Sequence, residues 1–156
     1  MLAIEIPGYK TLELEHLVVD YNGTLAVDGE IPEGVKERLR KLSESVHICV
    51  LTADTYGTVE EKCEGLPVEV RRFPDDGALR AKQMVVEELG VDSCAAIGNG
   101  RNDKLMCRVS ALSVAVLERE GMCGRLLGEA DVIVQSIEDA LDLLLYPMRL
   151  VATLRG

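Results

Sequence analysis

The feature that most constrains this chain is Leu17-Val18-Val19-Asp20, an unbroken apolar run that ends on a carboxylate. A strand apolar on both faces must be covered on both faces, as in the middle of a parallel sheet. The signature returns along the chain. Val46–Leu51 ends at Thr52, Cys94–Ile97 runs into Gly98-Asn99-Gly100, and Leu112–Leu117 and Val132–Val134 follow. Val68–Phe73 is a further strand whose alternation runs through Arg71 and Arg72. Helical patterns lie between these runs. Pro32–Ser43 opens with proline and spaces Val35, Leu39 and Leu42 on one face, and Thr58–Glu64 is stopped by Gly65 and Pro67. Ala78–Leu89 is capped at Gly90, and Asp103–Ser110 and Met122–Glu129 continue the series. A C-terminal helix starts near Ile137, with Pro147 as a kink or break. Strands alternating with helices predict an α/β fold, a doubly wound (Rossmann-like) parallel sheet flanked by helices. Ahead of it, Leu2–Ile6 and Thr11–Glu15 alternate around Pro7-Gly8 and read as a β-hairpin.

A chain of 156 residues holds one such domain, residues 1–156, with 1–16 as an N-terminal hairpin extension and 137–156 as a C-terminal helical segment. A hydrophobic fraction of 47% excludes disorder. No apolar run approaches the ~20 residues that span a bilayer. Met1–Pro7 has neither the basic start nor the long apolar stretch of a signal peptide. The expectation is a cytoplasmic protein with no membrane partner. The net charge of −10 repels phosphate backbones, so nucleic acid is not an expected partner, although a local basic cleft stays open. The five cysteines include no close ligand pair, and Cys49 and Cys94 read as small buried hydrophobes. His16 and His47 sit beside strand runs and read as structural.

In a doubly wound sheet ligands bind at the carboxyl ends of the strands. Four features fall there or at helix starts: Asp20-Tyr21-Asn22-Gly23-Thr24, Thr52, Lys82, and Gly98-Asn99-Gly100-Arg101-Asn102-Asp103. Each alone has a plain reading. Asn-Gly is a turn signal, although a proline-initiated helix rather than a partner strand follows it. Thr52 could cap a helix, Lys82 could be a solvated helix lysine, and Asn102 or Asp103 could be an N-cap. In order and spacing, however, they resemble the four motifs of the haloacid dehalogenase (HAD) superfamily. The last resembles G-D-G-x-N-D with its first aspartate replaced. The helix Lys82-Gln83-Met84-Val85-Val86-Glu87-Glu88-Leu89 is similar to the K-x-x-h-V-E-x-L pattern of P-type ATPase phosphorylation domains. The nearest set is the soluble P-type ATPase-like branch, which lacks the membrane helices.

The resemblance implies a Mg²⁺-dependent phosphohydrolase in which Asp20 attacks phosphorus and forms an aspartyl phosphate. Phosphoryl transfer is largely positioning and charge stabilisation, so a nucleophile needs a cation and donors around it. Thr52 would donate to a phosphate oxygen and Lys82 would offset the charge of nucleophile and phosphate. Gly23, Thr24, Ala53 and Asn102 would complete the substrate cradle. Metal ligands are implied at Asp20, the Asn22 carbonyl, Asn99 and Asp103.

Two positions depart from the family pattern. Asn22 replaces the aspartate that protonates the leaving group and activates water, and an amide does neither near neutral pH. Slow hydrolysis and a trappable phospho-Asp20 are expected. Asn99 replaces a carboxylate ligand, so Mg²⁺ affinity should fall. Both asparagines precede glycine, where deamidation is sterically easiest and would restore the acids. The spacings from Asp20 to Thr52 and from Thr52 to Lys82 leave no room for a cap domain, and Ala26–Ile31 could form only a small flap. A capless site suits a large phosphorylated substrate, or closure by a neighbouring subunit in a homo-oligomer. Leu141–Leu154 is the candidate interface, unless it packs on its own sheet. The competing function is a catalytically weak phosphate-sensing or partner-binding domain.

Overall fold

The computed structural model describes residues 1–54 and 57–156. Strands β1 (Leu2–Ile6) and β2 (Lys10–Leu14) pair antiparallel, Leu2 opposite Leu14 and Ile6 opposite Lys10. Gly8 turns the hairpin at φ 75, a conformation glycine adopts without a Cβ penalty. The alternation predicted for this segment puts Ile4, Ile6, Leu12 and Leu14 into the core.

The main sheet contains β3 (His16–Asp20), β4 (His47–Thr52), β5 (Glu69–Arg72), β6 (Cys94–Gly98), β7 (Leu112–Val116) and β8 (Val132–Val134). Its order is β5-β4-β3-β6-β7-β8, and every pairing is parallel. The helices are α1 (Glu33–Leu42), α2 (Thr58–Lys62), α3 (Ala78–Leu89), α4 (Lys104–Val109), α5 (Ile137–Leu145) and α6 (Pro147–Leu154). Leu17, Val19, Ile48 and Val50 face one core with Val35, Leu39, Leu141 and the hairpin. Val18, Cys49 and Leu51 face the other with Val85, Val86 and Met106. From β3 the chain winds outward through β4 and β5, then crosses to β6 on the other side of β3. Such a reversal opens a crevice between the ends of the two neighbouring strands. Here those ends are Asp20 and Gly98.

Four readings need correction or completion. Met122–Glu129 is not an α-helix; it holds a 3-10 segment at Gly124–Gly128, because Gly124 and Gly128 interrupt it and Leu126 is its one buried anchor. The C-terminal segment is two helices, with Pro147 at the first turn of α6, where its missing N–H costs nothing. Leu141–Leu154 packs on its own sheet, with Leu143, Leu144, Leu150 and Val151 buried, although Met148 stays 74% exposed. The Ala26–Ile31 segment is the small flap. Val27 and Glu30 exchange backbone hydrogen bonds of 3.1 Å across Asp28 (φ 53) and Gly29 (φ 80). Asp-Gly is favoured where both central residues take positive φ. Among the described residues no helix is long and apolar enough to cross a membrane.

Candidate active site

Asp20 is the last residue of β3, and the ladder runs one step further through Tyr21 N–H to the Leu51 carbonyl (3.0 Å). The chain then folds over itself. Leu25 N–H donates to the Asp20 carbonyl (3.1 Å), Ala26 N–H to that of Tyr21 (2.9 Å) and Gly23 N–H to that of Ala26 (2.9 Å). This turn presses on the loop after β6. Gly23 stands at φ 76, and a Cβ there would lie 2.5 Å from Asn99 Nδ2.

Lys82 comes from the buried face of α3, in line with Ala78, Val85 and Val86, and is fully buried. A buried ammonium is tolerated only when its protons are taken. All three are. Nζ donates to Asp20 Oδ1 (2.6 Å), Asp103 Oδ1 (2.8 Å) and Asn102 Oδ1 (2.9 Å). The other Asp103 oxygen accepts the backbone N–H of Asn99 (3.1 Å) and of Gly100 (3.0 Å), so this carboxylate folds its own loop. Gly98 makes room for it, since a Cβ there would lie 2.5 Å from Asp103 Cγ.

Burial first, and the charge of Asp103 second, push the Asp20 carboxyl up to about 7 against the pull of Lys82. Burial alone would lower the Lys82 ammonium. Asp103 and Asp20 outweigh that, so it is raised and stays charged. Thr24 Oγ1 lies 3.3 Å from Asp20 Oδ2 and 3.0 Å from Asn99 Oδ1. A hydroxyl has one proton, so one of those two oxygens lacks a donor. Asn99 Nδ2 donates to the Gly121 carbonyl (3.1 Å), which turns Oδ1 toward Asp20. An electron-rich gap of oxygens is what a hard cation fits. Asp20 and Asn99 are the side chains open to one, and Asn22 lies on the same wall. Both oxygens of Asp103 are already engaged.

Thr52 ends β4 and is buried. Its Oγ1 accepts Asp54 N–H (3.0 Å), which leaves the hydroxyl proton to donate. Among the residues singled out by sequence, Asp20, Asn22, Ala53, Asn99 and Asn102 line one open cavity of about 420 Å³. Thr24, Thr52, Lys82 and Asp103 are buried around it, as is Gly23. The cavity also takes in Gly100 and Arg101 of the same loop motif, and Asp75, which no motif marked. Asp75 sits in the loop after β5, and Phe73 N–H bound to the Thr52 carbonyl (2.9 Å) carries that loop to the site. The deamidation route is obstructed at both sites. It needs the following backbone nitrogen as nucleophile, and Gly23 N and Gly100 N are both hydrogen-bonded.

No family model matches the chain. Two uncharacterized proteins of Methanocaldococcus jannaschii are similar to it in sequence. One is 40% identical over 79 residues, covering 48% of this chain and 85% of the relative. The other is 56% identical over 39 residues, covering 25% and 89%. Among solved structures, the 3-deoxy-D-manno-octulosonate 8-phosphate phosphatase of Moraxella catarrhalis, in complex with magnesium, phosphate and KDO, superposes with a TM-score of 0.72 at 16% identity. That match covers 90% of this chain and 92% of the other. The cobalt-bound Haemophilus influenzae phosphatase has a TM-score of 0.71 at 12% identity, covering 86% and 88%. A HAD family hydrolase of Streptomyces avermitilis has 0.69 at 19%, covering 87% of each chain. At such identities the likeness is one of fold.

Proposed function

The chain belongs to the same family as the two archaeal proteins and has the haloacid dehalogenase fold, and from that premise we propose that it is a Mg²⁺-dependent phosphohydrolase acting slowly through an aspartyl phosphate on Asp20. The observation that carries the reading is Lys82. A fully buried lysine gives all its protons to Asp20, Asp103 and Asn102, at the open end of the central strand. Perturbed, desolvated charges gathered at a cleft mark chemistry more often than stability.

In this reading an Asp20 carboxylate oxygen attacks phosphorus in line and the ester P–O bond breaks. Lys82 offsets the charge of carboxylate and phosphate together. Thr52 donates its free hydroxyl proton to a phosphate oxygen, and Thr24 holds the second Asp20 oxygen in place. Asp103 keeps the loop after β6 folded and Lys82 oriented, in place of direct ligation. Mg²⁺, held by Asp20, the Asn22 carbonyl and Asn99, supplies the remaining positive charge when bound. Asn22 brings no proton, which makes release from Asp20 the slow step.

The adjoining cavity of about 420 Å³ has Asp28, Glu30 and Asp54 in its wall, and Lys62 there is paired with Glu30. Such a wall disfavours polyanionic leaving groups and suits a phosphomonoester of a neutral or cationic alcohol. With no cap, a bulky one has room. The two amides also favour a second reading, a phosphate-sensing domain that binds and holds rather than turns over.

A phosphate-release screen over varied phosphomonoesters with Mg²⁺, using Asp20→Asn as control, tests the proposal. Slow release that disappears in the variant, with acid-stable ³²P on Asp20, is expected. Release that survives Asp20→Asn would overturn the site, and phosphate binding without label would favour sensing.

A further inference from the structure

The proposed reaction lacks a proton carrier, because Asn22 stands where one is needed. We infer that Asp75 is the general acid and base of this site, acting from the loop between β5 and α3. The inference rests on the phosphohydrolase reading and adds a residue to it.

The geometry is that of two joined cavities. One contains Asp20 and the loop Asn99–Asn102; the other lies under the flap, between Tyr21, Glu30 and Lys62. The walls they share are Asn22, Ala53 and Asp75. A phosphate at Asp20 places the leaving group across that boundary, and so the boundary is where a proton must be delivered. Of the three shared residues, only Asp75 carries a group that gives and takes protons. In the Asp20 cavity it is the second carboxylate, and Asp20, bound to Lys82, is the nucleophile itself.

The neighbouring acids are occupied elsewhere. Asp54 Oδ2 caps α2, accepting Thr58 N–H (3.1 Å), the Thr58 hydroxyl (2.6 Å) and Val59 N–H (3.4 Å). Glu30 pairs with Lys62, and Glu120 accepts Asp28 N–H (3.3 Å). Asp28 lines only the cavity under the flap. Asp75 is exposed and has no partner among the described residues. Phe73 N–H on the Thr52 carbonyl ties its loop to the end of β4, and Gly77 N–H on the Pro74 carbonyl (3.1 Å) closes a turn around it. It is a free carboxylate on a tethered loop.

The steps balance. In the first, the Asp20 oxygen bonds to phosphorus, the bond from phosphorus to the leaving oxygen breaks, and the Asp75 carboxylic acid gives its proton to that oxygen. In the second, a water oxygen bonds to phosphorus and the aspartyl oxygen leaves. Asp75 then takes the water proton, which returns both carboxyl groups to their starting states. The net change is ester plus water to alcohol plus phosphate.

The test is the decay of ³²P-labelled Asp20 in wild type, Asp75→Asn, Asp76→Asn and the double variant Asn22→Asp/Asp75→Asn. Asp75→Asn should slow decay by about 100-fold, the lower end of what acid–base catalysis contributes. Asp76→Asn makes the same charge change one residue on and should decay as wild type. The double variant should regain most of the lost rate, which a merely structural role for Asp75 would not allow. Wild-type decay in Asp75→Asn overturns the inference while leaving the aspartyl phosphate intact. Absence of label on Asp20 in wild type overturns the phosphohydrolase reading, and the inference with it.

Discussion

The two sides of the site are built on opposite terms. The inner side, Lys82 with Asp20, Asp103 and Asn102, is buried and has its protons and acceptors matched at 2.6–2.9 Å. The outer side, Asn22, Asp75 and Arg101, is exposed and loosely partnered. A matched buried network has one low-energy arrangement, whereas exposed groups rearrange cheaply. The inner side should therefore decide whether Asp20 can react at all, and the outer side how fast the product leaves.

The sharpest way to break that division is Lys82→Met. It strands two carboxylates with no cation between them, and losing one partner of a buried pair costs roughly 3–5 kcal/mol. The urea midpoint should drop accordingly and labelling of Asp20 should vanish. A variant of wild-type stability would mean that the inner network is not buried as described.

Asp20→Asn tests the same side through pH. In the metal-free protein the Asp20 carboxyl is raised from 3.8 to about 7, by burial first and Asp103 second. The unfolded chain therefore releases this proton at lower pH than the folded one. Its contribution to stability is complete below 3.8 and is lost as pH rises to about 7. Wild type should lose more stability than Asp20→Asn between pH 4 and 8 in denaturant titrations without metal. Parallel curves would contradict the shift.

Gly98→Ala is smaller and purely steric. A methyl group 2.5 Å from Asp103 Cγ has to displace that side chain or the strand end. The expected cost is about 1–3 kcal/mol in thermal unfolding, as for other overpacked sites. Asn99→Asp is the mildest change: it gives up the amide bond to the Gly121 carbonyl (3.1 Å) but adds charge to an oxygen that already points at the gap. Magnesium titration of phosphate release should show half-saturation at about tenfold lower Mg²⁺, corresponding to ~1.4 kcal/mol. Unchanged dependence would remove Asn99 from the donor set.

Much of the inner side is legible in the sequence. The apolar run before Asp20 points it at the strand end, and Lys82, singled out by the order and spacing of the motifs, shares a helical face with Val85, Val86 and Ala78. These are local patterns of period 3.6 or of continuous burial, which one segment carries by itself. Met122–Glu129 shows where pattern fails, because a glycine-rich stretch with one inward leucine satisfies a helical reading without the contacts to hold it. Asp75 had no pattern at all. It lies in a turn, and its relevance depends on what stands across from it.

What the sequence determined alone was the α/β alternation, the hairpin, the absence of room for a cap, and the order of the strand-end motifs. Each follows from neighbours along the chain. Tertiary structure alone decided that both Asp103 oxygens turn inward, that the Asn99 amide turns its oxygen toward Asp20, and that Asp75 sits on the wall between two cavities. The physical reason is distance along the chain. Lys82 must arrive from α3, Gly121 from the loop after β7 and Phe73 from the end of β5 before those side chains have anything to answer to.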